Sequence, residues 1–186
     1  MSHRTARYVI SVLARDRVGI IADVSAALYA LDANLEALSQ TVVWDWFTMI
    51  VCAAFPPEVT AEAIQEAVEA AGGFRAIVVP SEEREGAPPA EGEPFVVTAI
   101  GSDKPGIVKR LTQCFAACGV NIEDVWNEVR DEQFIVIFHV TVPRTVDPKE
   151  LRHELAEAAN ELGMTTRLQH QDIFTATNSL SVHTKR

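Results

Sequence analysis

The chain has 186 residues, 48% hydrophobic and 23% charged, with a formal net charge of −10. Such a chain can bury a core, and it carries no stripe of Lys and Arg of the kind that neutralises phosphates, so direct nucleic-acid binding is disfavoured. No apolar run reaches the roughly 18 residues of a membrane helix, and the polar stretch Met1–Arg7 lacks the apolar core of a secretory signal.

Taken in order, Tyr8–Ala14 is a short apolar run rich in β-branched residues and reads as a buried strand. After Asp16-Arg17-Val18-Gly19-Ile20-Ile21, the residues Ile21, Val24, Leu28 and Leu31 recur at helical spacing. Asp32 takes the left-handed position that ends such a helix, and Asn34 opens the next strand. Strands Leu35–Val43 and Phe47–Phe55 are joined only by Trp44-Asp45-Trp46, which requires an antiparallel hairpin. Thr60 then begins a helix with Ile64, Val68 and Ala71 on one face, and Ala76–Val79 forms a closing strand. Ser81–Glu93, with five Glu, two Pro and two Gly, reads as an exposed linker.

The second half repeats the first at a gap-free offset of 87 residues. Strand Phe95–Ile100 leads into Asp103-Lys104-Pro105-Gly106-Ile107-Val108, then a helix carrying Val108, Leu111, Phe115 and Cys118 and ending at Gly119. Asn121 opens a hairpin of Ile122–Val129 and Phe134–Val142 through Arg130-Asp131-Glu132. Asp147, Pro148 and Glu150 supply a cap, a first-turn proline and a capping-box partner for a helix with Leu151, Leu155, Ala158 and Leu162 inward. A last strand is expected over Thr166–Phe174. The order βαββαβ, read twice, is an α+β chain of two ferredoxin-like domains, each an antiparallel sheet with two helices on one face. The domains are expected at 1–80 and 94–186, the latter with a C-terminal tail, joined by the linker 81–93.

A sheet covered on one face should alternate apolar and polar residues. Here Phe134, Val136 and Phe138 alternate with Ile135 and Ile137, and Phe47, Met49 and Val51 with Ile50 and Cys52. Something is expected to cover the second face: the two domains or two chains, packed sheet on sheet or edge to edge, with a homodimer as the simplest assembly.

Between first strand and first helix, Gly19 and Gly106 let a ligand approach the main chain. The first-turn amides of Gly106, Ile107 and Val108, and of Gly19, Ile20 and Ile21, suit a carboxylate. Asn34 and Asn121, placed at the same end of each sheet, would add an amide that both donates and accepts. A plain turn and cap would use the same residues. Asp-Lys-Pro-Gly-Ile-Val, a helix, then Gly-Val-Asn-Ile-Glu and a hairpin resembles the ACT domain over residues 8–80 and 95–174. The resemblance implies amino-acid binding at interfaces between domains. It assigns ligand contact to the loop residues Asp16, Gly19, Ile20 and Ile21, to Asp103, Gly106, Ile107 and Val108, and to Asn34 and Asn121. Val18 and Asp32 replace the family's Pro and Gly, which makes the first copy the less typical. Two such domains alone resemble the glycine cleavage system transcriptional repressor group, which implies a transcription factor as partner and glycine as effector.

No nucleophile elbow, phosphate loop or dinucleotide fingerprint occurs, so no catalytic site and no cofactor are expected. Cys114 and Cys118 lie one helical turn apart, but no His or carboxylate has suitable local spacing, and both continue the apolar stripe. They read as core, with no metal expected. Three cysteines in apolar segments suit a reducing compartment, hence the cytoplasm. His139 sits within an apolar strand and is expected at an interface. His3 and His183 fall in the tails, and His153 and His170 have no evident nucleophile partner. Trp44, Trp46 and Trp126 suit a protein contact or domain packing. The expectation is an amino-acid-binding regulator, with glycine or serine as ligand, acting through a protein partner. The alternatives are a ligand-free interaction module and a detached regulatory subunit of an amino-acid metabolic enzyme.

Overall fold

The computed structural model describes residues 5–81, 91–130 and 133–179. His3, His183, Asp131, Glu132 and most of the expected linker lie outside them. The chain divides at Gly86/Ala87 into two compact units. In the first, β1 (Ala6–Arg15), α1 (Ile20–Tyr29), β2 (Asn34–Val43), β3 (Trp46–Phe55), α2 (Ala61–Gly72) and β4 (Arg75–Pro80) follow in order. In the second, β5 (Gly92–Ser102), α3 (Ile107–Ala117), β6 (Asn121–Arg130), β7 (Gln133–Pro143), α4 (Pro148–Asn160), β8 (Met164–His170) and α5 (Gln171–Ser179) do the same, with one helix more. The sheet orders are β2-β3-β1-β4 and β6-β7-β5-β8, antiparallel throughout. These are the two βαββαβ folds expected from the repeat.

Each core lies between one sheet face and two helices. In the first unit, Ile10 and Val12 of β1 and Met49 and Val51 of β3 face Val24 and Leu28 of α1 and Ile64 and Val68 of α2. In the second, Val97, Val136 and Phe138 meet Leu111, Phe115, Leu151 and Leu155. The first-turn residues that point inward are Ile20 and Ile107, each 2% exposed. Ile21 and Val108, expected to start the apolar stripes, turn outward. Each follows a glycine cap, so the helix begins one residue earlier and its face rotates by 100°.

Helix ends follow local chemistry. Thr60 accepts from the Ala63 amide and Asp147 from the Lys149 amide, with Pro148 in the first turn. Glu150 lies in that first turn. Asp32 (φ 55°) and Gly119 (φ 68°) both adopt the left-handed conformation read from their positions. Trp44 does the same at φ 56° in the two-residue hairpin turn, and its side chain is 93% exposed.

Two expectations need correction. Residues 171–174 continue no strand: β8 ends at His170, and α5 begins there, with the Asp172 amide donating to His170 Nδ1 at 3.3 Å. Ile173, Phe174 and Thr175 have strand-like propensities that tertiary packing overrides. The cover for the second sheet's helix-free face also comes partly from this helix. α5 packs on β5 and β8, and the Phe174 ring stands edge-on to His139, 6.2 Å between centroids. Val96 on that face is 1% exposed, whereas Ile50, Ile77 and Val79 on the first sheet's corresponding face are open.

Candidate functional site

The first strand of each unit ends in a loop whose last residue, Gly19 or Gly106, caps the following helix at φ 95°. Neither helix receives a side-chain cap. In α3 the first intrahelical bond runs from the Arg110 amide to the Gly106 carbonyl, 2.9 Å. The amides before it, those of Ile107, Val108 and Lys109, have no partner within the helix. The contrast with the capped helices α2 and α4 is consistent across both copies.

The two loops differ in access. In the first copy Arg17 crosses the entrance, bonded to the Val18 carbonyl (3.2 Å) and Asp23 (2.7 Å), with its guanidinium 5.4 Å from the Phe74 ring centre. The Asp16 amide is taken by the Asp45 carbonyl. In the second copy Asp103 is exposed and nothing lies within 4 Å of a Cβ added to Gly106. Gly106→Ala would therefore meet no clash but must hold an L-residue at positive φ. We expect a loss of about 1–2 kcal/mol, read by urea unfolding as a lower midpoint at unchanged slope.

Asn34 and Asn121 do not stand beside these loops, contrary to the expectation of one shared sheet end. Arg15, next to the first loop, pairs with Trp46, whereas Asn34 pairs with Ala54. Ser102 pairs with Gln133, whereas Asn121 pairs with Thr141. The span from Trp46 to Ala54 is ~26 Å at the usual strand rise. The physical reason is topological: each first helix runs back along the sheet, so the next strand starts at the far end.

That far end carries its own chemistry, which sequence reasoning missed. A bulge interrupts β2 between Leu35 and Ala37 and β6 between Ile122 and Asp124, leaving Glu36 and Glu123 outside the regular register. Asn121 Nδ2 and Thr141 Oγ1 both donate to Glu123 Oε1, at 2.6 and 2.9 Å, and these bonds hold its carboxyl below the usual range. Arg7 Nε donates to both Glu36 oxygens at 3.1 Å. Asp32, Asn34, Glu36 and Glu58 line a cleft of about 560 Å³. The repeated Asn-x-Glu was the available signal.

A second cluster lies between α3 and α4. Cys118 Sγ donates to Glu154 Oε2 at 2.9 Å, and Cys114 sits one turn earlier on the same face. Both thiols pack with the core, as expected. Burial, then the Glu154 carboxylate, pushes the Cys118 thiol up to about 12, and burial likewise raises Cys114. His139 meets Phe174; His153 lies 3.4 Å from Glu157, and His170 stacks edge-on with Phe95.

The ACT domain profile matches residues 8–69 and again residues 93–169. The chain belongs to the ACT-domain family. Curated relatives of about the length of one ACT domain match a little under half of the chain. A UPF0237 protein of Methanopyrus kandleri is 38% identical over 82 residues, 44% of this chain and 91% of that protein. A UPF0237 protein of Streptococcus mutans is 31% identical over 85 residues, 46% and 97% respectively. Among solved structures, an unknown protein from Galdieria sulphuraria matches both ACT domains at 26% identity and TM-score 0.73, covering 90% of this chain and 99% of that one. A structure assigned to a glycine cleavage system transcriptional repressor shares the fold at 17% identity and TM-score 0.65, covering 89% and 96%. Among the described residues, no helix is long and apolar enough to cross a membrane.

Proposed function

We propose that this tandem ACT protein is a regulatory sensor of a small amino acid, glycine or serine, in glycine and one-carbon metabolism, signalling to a protein partner such as a transcription factor. The observation that carries the reading is the open, uncapped entrance of α3 at Gly106. Unpaired main-chain amides and the positive end of the helix dipole favour a carboxylate there. The Asn and Glu end of each sheet would supply the complement, carboxylate and amide acceptors for an ammonium group, set in a cleft in the first domain.

Because these two half-sites lie at opposite ends of one domain, a zwitterion would contact both only where a second copy of the chain brings its own half-site alongside. Asp103, Gly106, Ile107 and Val108, or Asp16, Gly19, Ile20 and Ile21, would come from one domain, and Asn121 or Asn34 from another. The ligand would then favour one domain arrangement over others, and that differential affinity carries the signal. The same fold in a structure assigned to a glycine cleavage system transcriptional repressor is the ground for choosing a transcriptional role.

Calorimetry of the full chain against the twenty amino acids tests this. One small amino acid is expected to give heat, and Asn121→Ala to weaken it at least about tenfold, ~1.4 kcal/mol. Silence from all twenty would remove the sensor. The 93% exposure of Trp44 favours a second reading, a ligand-independent protein contact, which capture of the same partner with and without amino acid distinguishes.

A further inference from the structure

We propose that Cys114, Cys118 and Glu154 form a binding site for a zinc-like divalent metal, independent of the amino-acid site. The two sulfurs and a Glu154 oxygen lie within 4.8 Å of one another. They come from two helices packed side by side: Cys114 and Cys118 are four residues apart on one face of α3, and Glu154 faces them from α4. Cys114 and Glu154 line a cleft of about 270 Å³ together with Arg110, Glu157 and Glu161, so a metal has a route in. Arg110, which lines the same cleft, is turned onto Glu161, with Nε to Oε2 at 3.1 Å.

The internal repeat supplies an independent argument. At the offset of 87, the first domain has Ala27, Leu31 and Ala67 at these three places. The fold therefore packs its helix pair without polar groups there. In the second domain all three positions carry a metal-ligating side chain, and they are brought together across 36 residues of sequence. Two thiolates and one carboxylate select a soft or borderline ion such as zinc over calcium or magnesium, which take oxygen ligands. Three protein donors leave the fourth tetrahedral position to water. Binding replaces the two thiol protons: one metal dication enters, two metal–sulfur bonds form, and two protons leave to solvent.

The test uses the full chain, reduced and metal-free, with Cys52→Ser removing the remaining thiol, and titrates it with cobalt(II) as the spectroscopic stand-in. Saturation at one equivalent is expected, with a thiolate-to-cobalt charge-transfer band, the intense visible bands of a four-coordinate site and release of two protons. Zinc should displace the cobalt and erase the bands. Cys118→Ser should weaken the charge-transfer band, and Cys114→Ser combined with Cys118→Ser should abolish it. Glu154→Gln, at an exposed position whose loss leaves the core intact, should keep the band but weaken binding at least tenfold. Absence of the band in the parent protein would overturn the site, as would a band at full strength in Cys118→Ser, a band that survives the double cysteine variant, or a Glu154→Gln titration matching the parent.

Discussion

Phe138→Ala is expected to cost about 3–5 kcal/mol of the second domain's stability, a large part of the ~5–15 kcal/mol a domain possesses. Phe138 is fully buried at the centre of β7, paired to Val97 and Val125, and its ring meets Phe115 edge-on at 5.2 Å and 70°. Truncation removes the ring from the core and leaves a void that the strand cannot collapse into, because both neighbours hold β7 in register. Urea unfolding followed at Trp126, with Trp44 and Trp46 replaced by Phe, should show a lower midpoint at unchanged slope. A midpoint within error of the parent would mean that the ring is not a core element.

The equivalent position in the first domain, Val51, is also fully buried, and no polar or charged side chain is buried among the described residues. Val51→Asp is expected to unfold this domain at neutral pH. A carboxyl at such a site has its pKa raised by roughly 3–5 units. The folded value then lies above the unfolded one. The ionisation penalty is absent below about pH 4 and grows by about 1.4 kcal/mol per pH unit above it, reaching ~4 kcal/mol near pH 7. Val51→Asn carries the same polarity cost without the titration. The stability gap between the two variants should widen as pH rises from 4 to 7; a gap that stays flat would show that the carboxyl reaches water.

Most of the fold was legible because its signals are local or repeated. The offset of 87 aligned Asn34 with Asn121 and Thr60 with Asp147, and strand alternation picked out β3 and β7. Gly119 was read as left-handed because glycine suits the position that ends a helix, and Asp32 because it takes that place in the first copy. What stayed hidden depends on contacts distant in sequence. The side of the sheet on which α5 lies is decided by Phe174 meeting His139, which no local pattern encodes. The partner of Cys118 stands on another helix. The Asn and glycine loop looked adjacent because they flank one helix, yet a helix's flanks are by construction its two far ends. Ile107 rather than Val108 facing inward turned on a single residue of helix phase.

The strand register also distributes a hazard unequally. β2 and β6 are both outermost in their sheets, and every residue of β2 is solvent-exposed. β6 carries Glu123, Asp124, Glu128 and Arg130, charges that repel an incoming chain, whereas β2 has Glu36 alone beside Leu38, Val42 and Val43. Native sheets guard such rims with charge. In concentrated solution, ribbon-like stacking would therefore start at the amino-terminal half, and a lysine at Thr41 would be the economical safeguard.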